Sequence, residues 1–148
     1  MKDRFILLVE DNPDDEELTL VGLKKSGVMN NIFVVRDGEE AMDFLFAKGK
    51  HSDRNPNDVP AVILLDLKLP KMGGFDVLHQ IRSHTATSCV PVVILTSSSE
   101  EEDVVASYKM GANSFVRKPV EFDRFADAVR QLGLYWLLIN EPPDQEHQ

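Results

Sequence analysis

The sequence predicts an α/β protein: a doubly wound parallel sheet of five strands with five helices on its two faces. Three observations carry this. Short apolar runs recur at Phe5–Val9, Ile32–Val35, Ala61–Leu65 and Pro91–Leu95, the pattern of strands covered on both sides. Stretches with helical spacing and capping residues follow them. The runs end in polar side chains, at Glu10-Asp11, Asp66 and Thr96, and Lys118 follows a last run at Ser114–Arg117.

Taken in order, Phe5–Val9 is the first strand. Asn12 then reads as an N-cap with Pro13 at the first helical position, and Asp14 to Glu17 suit the positive end of the helix dipole. That helix carries Leu18, Leu20, Val21 and Leu23 and ends near Gly27. After the second strand, Asp37 with Glu40 forms a capping-box pattern and opens a helix through Phe44 and Leu45. Residues 48–58 are polar and rich in breakers, part of a surface loop through 60 that is long for a connection. The third strand, Ala61–Leu65, runs into Asp66 and the turn Pro70-Lys71-Met72-Gly73-Gly74; a helix with Val77, Leu78 and Ile81 starts near Phe75. The fourth strand ends at Thr96, and Ser99 with Glu102 opens a helix that stops at Gly111. After Ser114–Arg117 and Lys118-Pro119, a last helix runs from about Glu121 towards Ile139, before Pro142-Pro143 forbid continuation. Residues 1–140 thus form one domain with an extended last helix, and 141–148 a short acidic tail.

Strand and helix in alternation call for a parallel sheet, and right-handed crossovers leave few windings. The flavodoxin-like order 2-1-3-4-5 is one of the two common ones.

Composition bounds the function. A chain of 148 residues, 43% hydrophobic, has room for one well-formed core. A formal charge of -9 argues against nucleic acid, whose phosphates demand clustered Lys and Arg. The lone Cys89 excludes an internal disulfide and suits a reducing cytoplasm; beside Val90-Pro91-Val92-Val93 it reads as a small packed residue. No apolar run is long enough for a membrane span or a signal-peptide core. His51, His79, His84 and His147 lack metal-ligand spacing and read as surface residues.

In the 2-1-3-4-5 order, strands one, three, four and five lie side by side, so Glu10, Asp11, Asp66, Thr96 and Lys118 converge at the carboxyl edge, where such sheets bind ligands. Each alone has an ordinary use as a cap, dipole partner or solvated lysine; together they form a site. Carboxylates so gathered repel by ~4 kcal/mol per pair at 4 Å in an intermediate dielectric. A hard cation relieves this, and oxygen-only ligands suit Mg2+. Cation, ammonium and hydroxyl around one carboxylate describe phosphoryl transfer, with Asp66 as nucleophile forming an acyl phosphate.

These motifs resemble the response-regulator receiver domain of two-component signalling over nearly the whole chain: Glu10-Asp11, Asp66-x-x-Leu69-Pro70-x-Met72-x-Gly74, Thr96-Ser97, and Gly111-Ala112-Asn113-x-Phe115-x-x-Lys118-Pro119. The resemblance implies that Asp66 takes a phosphoryl group from a phosphohistidine of a sensor histidine kinase. It implies Mg2+ on Asp11, Asp66 and the backbone carbonyl of Lys68, with Glu10 acting through water, and Lys118 on the phosphoryl oxygens. Thr96 and Phe115 would be the switch pair, and the Lys118–Pro119 bond would be cis. Two departures stand out. Glu10 replaces the commoner Asp of the acidic pair, changing reach but not charge, and Phe115 lacks the hydroxyl of the tyrosine many relatives carry.

No output domain is expected after the last helix, so output falls to protein contacts or phosphate relay. Phe122, Phe125, Ala126, Val129 and Leu132 form a core-facing stripe. Leu134–Ile139 is apolar all round, which points to a homodimer through the last helix. With the Glu10-Asp11-Asn12-Pro13 opening and the long loop, the chain is similar to the small regulators that partner bacterial phytochromes. A phosphatase of the haloacid-dehalogenase type would need a second Asp where Lys68 stands. A flavin carrier would need a phosphate loop where the acids of 10–15 would repel one. A scaffold that never takes up phosphate is hard to square with an intact Asp11, Asp66, Thr96 and Lys118.

Overall fold

The structure is a computed structural model and describes residues 5–69, 71–96, 111–118 and 120–131. Five parallel strands, β1 (Phe5–Val9), β2 (Asn31–Val35), β3 (Val62–Asp66), β4 (Val92–Thr96) and β5 (Ser114–Arg117), lie in the order β2-β1-β3-β4-β5. This is the predicted order. Among the described residues the helices are α1 (Pro13–Lys25), α2 (Gly38–Phe46), α3 (Gly74–Ser83) and α4 (Phe122–Gln131), four where five are expected. The helix predicted between Ser99 and Gly111 lies outside the described residues, as do the continuation of the last helix to Ile139 and the tail 141–148.

The pleat divides the core in two, because successive strand residues face opposite sides. Ile6, Leu8, Val62, Leu64, Val93 and Leu95 face α1 and α4, where Leu23 and Phe125 meet them. Leu7, Val9, Ile63, Leu65 and Ile94 face α2 and α3, against Phe44, Val77, Leu78 and Ile81. Every residue of β1 and β3 is buried, which is why these strands read as unbroken apolar runs.

Caps behave as their residues suggest. Asn12 Oδ1 accepts from the N–H groups of Asp14 (2.8 Å) and Asp15 (3.0 Å). Asp37 accepts from the Glu40 N–H at 2.7 Å, while Glu40 reaches back to the Arg36 N–H at 3.0 Å. Burial on α1 is narrower than the apolar pattern suggests. Leu23 and Thr19 are buried, whereas Leu18 and Val21 are 54% and 44% exposed; one helix face meets the sheet, and those two side chains lie off it.

The loop after α2 is more than a solvated connection. A 3-10 turn, Gly49–His51, places the His51 ring edge-on to Phe44 at 5.1 Å. The Arg54 guanidinium stacks on Phe44, 3.9 Å from its centroid, and donates to the carbonyls of Phe44 and Asp58. His51 is therefore half-buried, unlike the exposed His79 and His84; His147 lies outside the described residues. Arg82 plays the same part elsewhere: its guanidinium donates to the carbonyls of Gly111 and Val90 and to Asn113 Oδ1, joining α3 to the starts of β4 and β5. Cys89 is exposed, not packed, because it sits in the turn before β4 rather than on the strand.

Candidate functional site

The candidate site forms where β1, β3 and β5 end together. β1 delivers Glu10 and Asp11, β3 ends on Asp66, and Lys118 follows β5. The register that pairs Val9 with Leu65 brings the first two strand ends level. Glu10 is wholly buried and Asp66 is 5% exposed, while Asp11 faces solvent.

Lys118 is the hub. Its Nζ lies 2.8 Å from Asp15 Oδ2, 3.1 Å from Glu10 Oε1 and 3.4 Å from Asp66 Oδ2. An ammonium has three N–H donors, so these carboxylates use all of them. Gly22 lets the segment past Lys118 come this close to α1, since a Cβ there would sit 2.3 Å from the Val120 carbonyl oxygen. The remaining acceptors are tied to backbone: Glu10 Oε2 accepts from the Asn12 N–H and Asp66 Oδ1 from the Lys68 N–H, each at 3.3 Å.

Electrostatically the cluster holds more negative charge than one lysine balances. Burial, then the hydrogen bond and charge of Asp66, raise the Glu10 carboxyl from 4.5 to about 7 against the pull of Lys118. Burial works against the Lys118 ammonium. The hydrogen bond to Asp15 and the charges of Asp66 and Glu10 outweigh it and hold the group above the ordinary lysine range. Carboxylate oxygens of Glu10, Asp11 and Asp66 lie within 4.8 Å of one another. That set of hard, anionic oxygens at an edge open through Asp11 fits a divalent cation such as Mg2+.

Of the residues singled out in the sequence, Glu10, Asp11, Asp66 and Lys118 converge. Thr96 closes β4 opposite Arg117; its side chain lies outside the described residues, as do Pro70 and Pro119, and with Pro119 the expected cis bond. Lys68 lies two residues after Asp66 and is exposed, and Phe115, on β5, is 37% exposed. Sequence reasoning missed Asp15. It was one acid among four at a helix N-terminus, and only the fold brings it to a lysine more than 100 positions away.

Comparison with known proteins gives a consistent result. The family described as response regulator receiver domain matches residues 6–130. The response regulator Rcp1 of a Synechocystis strain is 37% identical over 134 residues, 90% of this chain and 89% of that one. Among solved structures, the bacteriophytochrome response regulator RtBRR superposes with a TM-score of 0.84 at 53% identity, covering 96% of this chain and 85% of the other. The bacteriophytochrome response regulator AtBRR gives 0.85 at 51%, covering 95% and 100%. The Mn(2+)-bound form of Rcp1 gives 0.73 at 36%, covering 95% and 99%.

Proposed function

This chain belongs to the response regulator receiver family, and we propose that it accepts a phosphoryl group on Asp66 from a phytochrome-type sensor histidine kinase. The family makes it a signalling domain, related to the phytochrome response regulators. The observation that carries the proposal is the Lys118 ammonium held at 3.1 Å from Glu10 and 3.4 Å from Asp66, beside the oxygens of Asp11.

The chemistry assigns each group a task. An Asp66 carboxylate oxygen attacks the phosphorus of a phosphohistidine; the P–N bond breaks, and its electron pair stays on the imidazole nitrogen. Charge then gathers on the phosphoryl oxygens, and a positively charged, pre-placed donor lowers the cost. Lys118 supplies that donor. Asp11, Asp66 and the carbonyl of Lys68 would hold Mg2+, with Glu10 assisting through water, and a bound cation would offset the phosphoryl charge. Thr96 and Phe115 would report the event, the hydroxyl moving towards the phosphoryl group and the ring inward behind it. Phe115 stands in an exposed position from which such a turn can start.

The phytochrome-type donor is supported by the two bacteriophytochrome regulators at 53% and 51% identity. Output would run through protein contacts in the cytoplasm, including a homodimer built on the last helix. The all-apolar Leu134–Ile139 supports that pairing. Among the described residues no helix is long and apolar enough to cross a membrane.

Intact mass after incubation with Mg2+ and acetyl phosphate tests the proposal. Wild type should gain one phosphoryl group and Asp66→Asn none. Uptake by Asp66→Asn would move the acceptor elsewhere. Size-exclusion chromatography alongside reads the dimer, and transfer from a phytochrome-type kinase, set against an unrelated one, reads the donor.

A further inference from the structure

The shortest contact of the Lys118 ammonium is made by a residue off the strand ends. Asp15 lies in the first turn of α1, and its Oδ2 is 2.8 Å from Lys118 Nζ, a charge-assisted distance. Acids in a first helical turn are common and need no further purpose. Asp14 and Glu16 serve there as well, and Glu16 pairs with Arg36. Asp15 differs because its carboxylate reaches a lysine side chain that is only 10% exposed.

Its placement is itself fixed. Asn12 Oδ1 accepts from the Asp15 N–H at 3.0 Å, and the Asn12 carbonyl accepts from the Glu16 N–H at 2.9 Å. The cap that starts α1 therefore also aims Asp15. The other two acceptors, Glu10 and Asp66, belong to the cluster whose oxygens gather within 4.8 Å, and Asp15 does not. The 3.4 Å contact with Asp66 is the one a phosphoryl oxygen would replace.

We propose that Asp15 is a positioning residue, anchoring the Lys118 ammonium from α1 so that it stays in place while Asp66 takes up a phosphoryl group. This rests on Asp66 being the acceptor. A lysine side chain is long and flexible, so a fixed acceptor outside the reacting cluster confines it without being consumed by the reaction.

The test is a double-mutant cycle on the full chain with acetyl phosphate and saturating Mg2+, reading the initial rate of phosphoryl uptake. Asp15→Ala should slow uptake about tenfold, within what a misplaced group costs. Asp15→Asn keeps an oxygen acceptor and should recover most of that loss. In a Lys118→Met background, or Lys118→Gln if the methionine variant does not fold, Asp15→Ala should change nothing. Equal slowing in both backgrounds, or none in wild type, would overturn the assignment. A second cycle in urea, without donor, reads the contact alone: Asp15→Ala should lower the midpoint only when Lys118 is present, and additive losses would refute it. Should wild type take up no phosphoryl group, the acceptor reading fails, and the urea cycle still decides whether Asp15 holds Lys118.

Discussion

Replacing Lys118 with methionine should move two properties in opposite directions. The ammonium touches buried Glu10 at 3.1 Å and nearly buried Asp66 at 3.4 Å. At an effective dielectric near 20 each contact is worth about 5 kcal/mol before desolvation is charged. Taking the lysine and its partners out of water costs several kcal/mol per ion and offsets most of this, and breaking such a pair costs about 3–5 kcal/mol net. Asp15, more than a third exposed, adds less than either of these because solvent screens it. The carboxylates left behind, with oxygens within 4.8 Å, repel by ~3 kcal/mol per pair at the same dielectric, but protonation of Glu10 relieves part of this. We therefore expect Lys118→Met to lose about 2–4 kcal/mol in urea unfolding with EDTA present, a large part of the 5–15 kcal/mol typical of a domain. Mg2+ should bind the variant more tightly. Even at the dielectric of water, a divalent and a monovalent cation about 6 Å apart repel by ~1.4 kcal/mol, a factor of about ten. Urea melts with and without Mg2+, and a titration by calorimetry, check both. Unchanged stability together with weaker Mg2+ binding would refute this account of the cluster.

Two other changes probe the frame around the site. The Glu40 carboxyl is held below its ordinary value: burial pushes it up, but the Arg36 N–H and the Lys50 and His51 side chains outweigh that. A depressed carboxyl stabilises the fold above its unfolded value of 4.5 and loses that contribution as pH falls through the folded value. Glu40→Gln should thus cost about 1 kcal/mol at pH 7 and progressively less below pH 4.5, as urea midpoints across pH will show; a pH-independent loss would contradict it. Gly74 starts α3 against the end of β3, and a Cβ there would lie 2.6 Å from the Asp66 carbonyl oxygen and 2.7 Å from Leu67 Cα. Gly74→Ala should destabilise by about 1–3 kcal/mol and slow phosphoryl uptake by shifting the Asp66 backbone. A variant as stable and as reactive as wild type would show that the helix gives way freely.

Much of the molecule was legible because its signals are local. Continuous burial on both faces writes β1 and β3 as apolar runs, and the caps at Asn12 and Asp37 are made by side chains two or three residues from their targets. The acids and the lysine of the site were legible too, once the strand order set their neighbours. Side chains that bond across the chain were not. Arg54 reads as one charge in a polar loop, yet it lies on Phe44; Arg82 carries no local signal, yet it joins α3 to the starts of two strands. Asp15 reads as a dipole partner, yet it makes the shortest contact to Lys118. Periodicity and capping depend on residues within a turn or two of each other, so the linear chain settles which elements form and which chemistry their ends carry. Which acid meets which base depends on how elements far apart in sequence pack, and packing alone decided that Lys118 shares its three protons among Glu10, Asp15 and Asp66.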